Sequence, residues 1–129
     1  MSYKLTGKPI PLQRPRFAKS GYAWDSQKIE KEQCAVALRI QHGNKPLWDV
    51  PIQMNVEFVF EMPKSWSTKR KQEPLADIHA IKPDIDNLLK FLLDVSNGIL
   101  YTDDCLVANV SAHKKYGPVA MTTFLLMPI

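Results

Sequence analysis

Between positions 51 and 63, apolar Ile52, Met54, Val56, Phe58 and Phe60 alternate with polar Gln53, Asn55, Glu57 and Glu61. A period of two is the pattern of a strand with one buried face, so VPIQMNVEFVFEMP is predicted to be a strand. CLVANVSAHKKYG alternates in the same way, and Gly117-Pro118 then turns the chain into a last apolar strand, VAMTTFLLMPI. The start, YKLTGKPIPL, is also strand-like, but Pro9 and Pro11 lack the N–H a ladder needs, which confines it to an edge or ends it. A short strand, ILY, is expected at 99–101.

Two stretches change period. In DSQKIEKEQCAVALRIQHGN, Ile29, Ala35 or Val36, and Ile40 fall near helical spacing, with Asp25 or Ser26 available as a cap and Gly43 as a stop. From Asp84 to Asn97, Ile85, Leu88, Leu89, Leu92 and Val95 mark a second amphipathic helix, which Asn97-Gly98 terminates. QRPRFAKSGYAW and PKSWSTKRKQEP are loop-like, with aromatic residues set among basic ones. The sum is one α+β domain over 1–129, a small mixed or antiparallel sheet with two main helices.

Composition narrows the setting. No apolar run reaches the ~20 residues that span a bilayer, so no membrane partner is expected. The basic N-terminal stretch lacks the apolar core of a signal peptide, so cytoplasm is the expected location. Cys34 and Cys105 belong to no C-x-x-C pair and suggest neither a disulfide framework nor a zinc site. The formal net charge is +4, unevenly spread. Residues 1–19 carry Lys4, Lys8, Arg14, Arg16 and Lys19 with no acid, and residues 64–82 add Lys64, Lys69, Arg70, Lys71 and Lys82 against Glu73 and Asp77. Such segments suit a polyanion.

Against that background the acids are concentrated. Asp84, Asp86, Asp94, Asp103 and Asp104 are five of the thirteen acidic residues. Pro83 favours a helix start directly after it, which puts Asp84 at the cap and Asp86 in the first turn. Asp86, Lys90 and Asp94 then share the face opposite the leucines. Asp103-Asp104 follows a tight turn and can fold back beside the helix start. Converging carboxylates would form a hard-oxygen site for Mg²⁺ or Mn²⁺. The other reading is purely structural: a capping Asp, surface ion pairs from Lys90 to Asp86 and Asp94, and an ordinary Asp-Asp turn.

KPDIDNLLKFLLDVSNGILYTDDCLV, followed by KKYG and preceded by GKPIPLQRPRF, resembles the RusA-type Holliday junction resolvases, endonucleases common in bacteria and their prophages. The resemblance implies a magnesium-dependent homodimer, with Mn²⁺ a possible substitute, that resolves four-way junction DNA by paired symmetric nicks in recombination and repair. Asp84, Asp86 and Asp104 match the metal-binding carboxylates and Lys90 the catalytic lysine, with Asp103 adjacent to the motif. Cys105 stands where a small polar residue is more usual. Arg14, Arg16, Lys69, Arg70, Lys71, Lys82, Lys114 and Lys115 are the expected DNA-binding residues. Either the C-terminal strand or the helix bearing Ile29 and Val36 would supply the dimer interface. Two other functions compete: a noncatalytic junction- or duplex-binding module, in which Asp86 is dispensable, and a phosphohydrolase of small substrates, which leaves the basic segments without a purpose.

Overall fold

The alternation at 52–61 becomes the strand around which the rest is laid. In the computed structural model, which describes residues 1–129, this is β4 (Ile52–Glu61). It is preceded by β1 (Ser2–Thr6), β2 (Arg16–Phe17), β3 (Ala23–Trp24) and α1 (Lys28–His42). It is followed by α2 (Thr68–Lys71), α3 (Ile85–Ser96), a 3-10 turn at Asp104–Leu106, β5 (Val107–Gly117) and β6 (Met121–Pro128).

The main sheet is mixed, in the order β1-β6-β4-β5. β4 pairs antiparallel with β6, from Ile52↔Pro128 to Val59↔Met121, and parallel with β5, from Gln53↔Asn109 to Glu61↔Gly117. A parallel pair needs a long crossover, and residues 62–106, including α3, provide it. Gly117-Pro118 does not close a hairpin between its flanking strands: the short link passes the end of β4, and β6 enters on the far side. Gly117 is required there, because a Cβ would stand 2.7 Å from Val59 Cγ1.

One face of the sheet is packed. Ile52, Met54, Val56 and Phe58 of β4 are buried, as the alternation predicts, and they meet Leu88, Phe91, Leu92 and Val95 of α3. Each such side chain removed from water contributes about 1.5–3 kcal/mol. β1 ends at Gly7, whose φ of 93° suits glycine, and so stays clear of Pro9 and Pro11 as an edge strand.

Three local expectations change. α1 exists and ends at Gly43, but its cap is Gln27, with Asp25 Oδ1 accepting from Gln27 N at 2.9 Å. Its buried face holds Leu38 and His42, whereas Ile29, Val36 and Ile40 are 68, 50 and 74% exposed. Polar anchors set that rotation. Tyr3 Oη and His42 Nδ1 share a 2.9 Å hydrogen bond, and Gln41 bonds both the N–H and the carbonyl of Lys4. The ILY segment is a turn rather than a strand, because its backbone bonds run to Ser96 and Trp48. Tyr101 is fully buried there and donates to Leu93 O. Finally, the loop at 13–24 closes a two-residue hairpin, Arg16↔Trp24 and Phe17↔Ala23.

Candidate active site

α3 starts where the sequence places it, and the behaviour of its first residue separates the two readings of the acids. Asp84 is the N-cap residue, yet its side chain makes no capping bond. Its carboxylate is turned outward and accepts from Lys82 Nζ at 2.8 and 2.9 Å. That hydrogen bond holds the Asp84 carboxyl below the usual carboxylate range and Lys82 above its own. A carboxylate placed at a helix N-terminus but not bonded to it is free for other work.

Asp103 behaves in the opposite way. Its Oδ1 caps the 3-10 turn by accepting from Cys105 N at 3.1 Å, which lowers its pKa. One oxygen of Asp103 is therefore occupied in shaping its own turn. Next to it, Asp104 forms no ion pair; a side-chain hydrogen bond with Asp103 is the main cause of its raised pKa, followed by loss of hydration, and the charges of Asp103 and Asp94 add to it.

Asp86 reaches Lys90 Nζ at only 3.9 Å, with both side chains nearly two-thirds exposed. Such a pair contributes a few tenths of a kcal/mol. Asp94 does not take Lys90 as partner. It pairs with Lys31 of α1 at 3.1 Å, and Lys31 also holds Asp25 at 2.6 Å. Burial opposes the charge on Lys31, but the two carboxylates outweigh it and raise its pKa, while the Lys31 bond lowers that of Asp25. Lys90 is thereby left facing a cleft of about 350 Å³ that it lines with Asp104, Asp94, Lys31, Asp25, Leu12, Gln13 and Pro15. Lys31 and Asp25 were not legible as site residues. Lys31 shares the inward line of α1 with Leu38, and that line is visible only once the helix rotation is known.

The fold thus brings Lys90 and Asp104 to one cleft and sets Asp84 and Asp86 at the start of the same helix. It does not gather three carboxylates at one point: no group of three His, Cys, Asp or Glu side chains stands ready to hold an ion. The donors fit a hard divalent cation in kind, being oxygen ligands on exposed side chains, with Asp104 uncompensated.

The basic residues fall into two groups. Arg14 and Arg16 are exposed on the segment whose Gln13 and Pro15 line the cleft, and Leu12 N donates to Asn87 O at 2.9 Å, tying that segment to α3. Lys69 and Lys71 are exposed on α2 with no ion pair, and Arg70 lies 4.2 Å over the Trp66 ring. Trp66 is folded back edge-on against Tyr116, ring centroids 5.0 Å apart, rather than projecting toward a ligand. Lys82, Lys114 and Lys115 are already engaged, with Asp84, with backbone carbonyls and with Glu57. His79 is buried, its ring stacked on Phe60 at 3.9 Å and its pKa lowered by burial, whereas His113 is exposed.

Exposed carboxylates stand at the start of α3, Lys90 and Asp104 line a cleft, and exposed basic residues lie on the 13–16 segment and on α2. The sequence profile of the endodeoxyribonuclease RusA family matches residues 6–123, and the chain belongs to that family. It is therefore a relative of the endonucleases that resolve Holliday junctions, as residues 82–107 suggest. The uncharacterized protein YqaN of Bacillus subtilis (strain 168) is 30% identical over 124 residues, which span 90% of this chain and 87% of that one. No helix is long and apolar enough to cross a membrane.

Proposed function

We propose that this protein is a divalent-metal-dependent endonuclease that resolves four-way DNA junctions by paired, symmetric nicks as a homodimer. The observation that carries the metal-dependent chemistry is Asp84, a helix N-cap residue whose carboxylate does not cap its helix. In this reading Asp84, Asp86 and Asp104 hold Mg²⁺, or Mn²⁺ in its place. The bound ion would polarise the phosphodiester and lower the pKa of the attacking water. All three side chains are exposed, and a divalent cation would compete with Lys82 for Asp84 and with Lys90 for Asp86.

The remaining work belongs to the chain. Lys90, on the cleft wall, stabilises the charge that builds on the phosphate oxygens as the bond breaks. Arg14 and Arg16, together with Lys69, Arg70 and Lys71, hold the DNA backbone by charge. Lys82 gives up Asp84 to the ion and is then available to a phosphate. Asp103 keeps the Asp104 turn in shape. Cytoplasm, where the DNA lies, is the proposed site of action.

Two like cuts need two clefts, and a two-fold dimer places one on each opposing strand of a junction with approximate two-fold symmetry. Of the two segments considered for the interface, β6 already has a strand on each side, β1 and β4. Ile29, Val36 and Ile40 of α1 form an exposed apolar line, which favours α1 as the contact. A synthetic four-way junction incubated with and without Mg²⁺, beside linear duplex and a small phosphodiester, tests the proposal. Metal-dependent cleavage of the junction alone is expected. Binding of the junction without cleavage under any divalent ion would leave only a binding module.

A further inference from the structure

Lys114 lies on β5, the strand at one edge of the sheet, where sequence alone suggests a DNA contact. The structure gives its ammonium another task. The free edge of β5 is covered by residues 77–79: Tyr116 N donates to Asp77 O at 2.7 Å, His79 N donates to Lys114 O at 3.3 Å, and Ile78 bridges Lys115. After His79 the chain leaves this edge to reach α3, and residues 80–83 have no ladder to hold them. Lys114 Nζ spans the gap, donating to Ile81 O at 2.6 Å and to Pro83 O at 2.7 Å.

Pro83 O belongs to the peptide that joins Asp84. Two short charge-assisted bonds from one half-buried ammonium thus fix the carbonyls on both sides of Lys82, at the step where the chain turns into α3. With two of its three donors occupied, Lys114 has little left for a phosphate, unlike Lys69 and Lys71, which have no partner.

We propose that Lys114 is a positioning residue, whose clamp on the carbonyls of Ile81 and Pro83 sets the direction from which Asp84 and Asp86 present their carboxylates to a divalent cation. The inference rests on the metal-site reading above and assigns Lys114 to the support of the ligands rather than to DNA. Outer partners that orient metal ligands typically change affinity or activity 10–100-fold when removed, roughly the effect expected here.

The test compares wild type, Lys114→Met, which keeps the apolar stem without donors, and Lys114→Arg, which keeps donors. Three quantities are measured: amide hydrogen exchange over residues 79–88, Mn²⁺ affinity by electron paramagnetic resonance, and metal-free junction binding as a function of salt. Lys114→Met is expected to exchange faster over 79–88 and to bind Mn²⁺ about 10–100-fold more weakly. Its junction affinity and salt slope should stay at wild-type values, and Lys114→Arg should recover most of the Mn²⁺ affinity. Unchanged Mn²⁺ affinity in Lys114→Met overturns the proposal. So does a metal-free binding loss with the salt slope reduced by about 0.9, which makes Lys114 a phosphate contact. Should Lys114→Met fail to fold, Lys114→Gln, which removes the charge and shortens the reach, replaces it under the same criteria. If wild type binds no Mn²⁺, the metal-site reading falls, and exchange alone judges the clamp: unchanged exchange over 79–88 removes it.

Discussion

Asp86→Asn separates catalytic from structural value at the acid cluster, because the structure limits what the residue can contribute to stability. Its one ion pair, to Lys90 at 3.9 Å between largely exposed side chains, is worth about 0.2–0.5 kcal/mol. A negative charge in the first turn of α3 adds about 0.3–1 kcal/mol through the helix dipole. The total loss is at most about 1.5 kcal/mol, against a stability of roughly 5–15 kcal/mol for a domain. For a chain of this length it lowers the melting temperature by at most roughly 8 °C and leaves the protein folded at assay temperature. The catalytic loss is of another order. Removing a ligand to the ion that offsets transition-state charge should slow cleavage by at least about 10²-fold. Junction binding should hold or tighten, since a negative charge leaves a surface that faces phosphates. Thermal melts, gel shifts and single-turnover cleavage of a labelled junction in Mg²⁺ measure the three quantities. Wild-type cleavage by Asp86→Asn would refute the metal assignment, and a melt lowered by more than about 10 °C would refute the stability argument.

Other perturbations address other parts of the account. Lys90→Ala should slow cleavage by roughly 10²-fold with junction binding nearly unchanged, measured by the same two assays. A loss confined to binding would make Lys90 an ordinary phosphate contact. Neutralising Lys69, Arg70 and Lys71 together should weaken binding to all DNA and flatten its salt dependence, by about 0.9 for each phosphate that is no longer neutralised. The Asp25–Lys31–Asp94 link gives a pH signature. The folded pKa of Asp25 is lowered, so its contribution is present above the unfolded value, ~3.9, and is lost as pH falls through the folded value. The folded pKa of Lys31 is raised, so its contribution is present below ~10.4 and is lost as pH rises through the folded value. Melting-temperature differences between wild type and Lys31→Met should therefore be widest between about pH 4 and 10 and shrink on either side. A pH-independent difference would contradict the link.

The period-two and helical patterns made much of the architecture legible. β4 buries the residues its spacing selects, and α3 buries Leu88, Leu92 and Val95 as the spacing selects, but Ile85 is exposed, Leu89 is half-buried and Phe91 takes a core place instead. α1 is different: two apolar lines run along it, and the choice between Leu38 and the Ile29–Val36–Ile40 line was made by hydrogen bonds of its Gln41 and His42 with Lys4 and Tyr3, which are distant in sequence. Strand order was equally hidden, since Gly117-Pro118 suits a hairpin and a short step past β4 alike. The motif singles out Asp84, Asp86, Lys90 and Asp104 as candidates, but side-chain direction was not legible. Asp84 and Asp103 are both placed to cap, and only the structure shows that Asp103 does so while Asp84 does not. For the same reason Lys114 looked like one basic residue among several until its two carbonyl partners were visible.

The central claim, paired incision of a four-way junction, is tested most directly by labelling each of the four strands in turn and mapping the cuts made in Mg²⁺. The account predicts cuts in two strands of like polarity, at symmetry-related positions, yielding two nicked duplexes. A nick confined to one strand, or equal cutting of flaps and linear duplex, would contradict it.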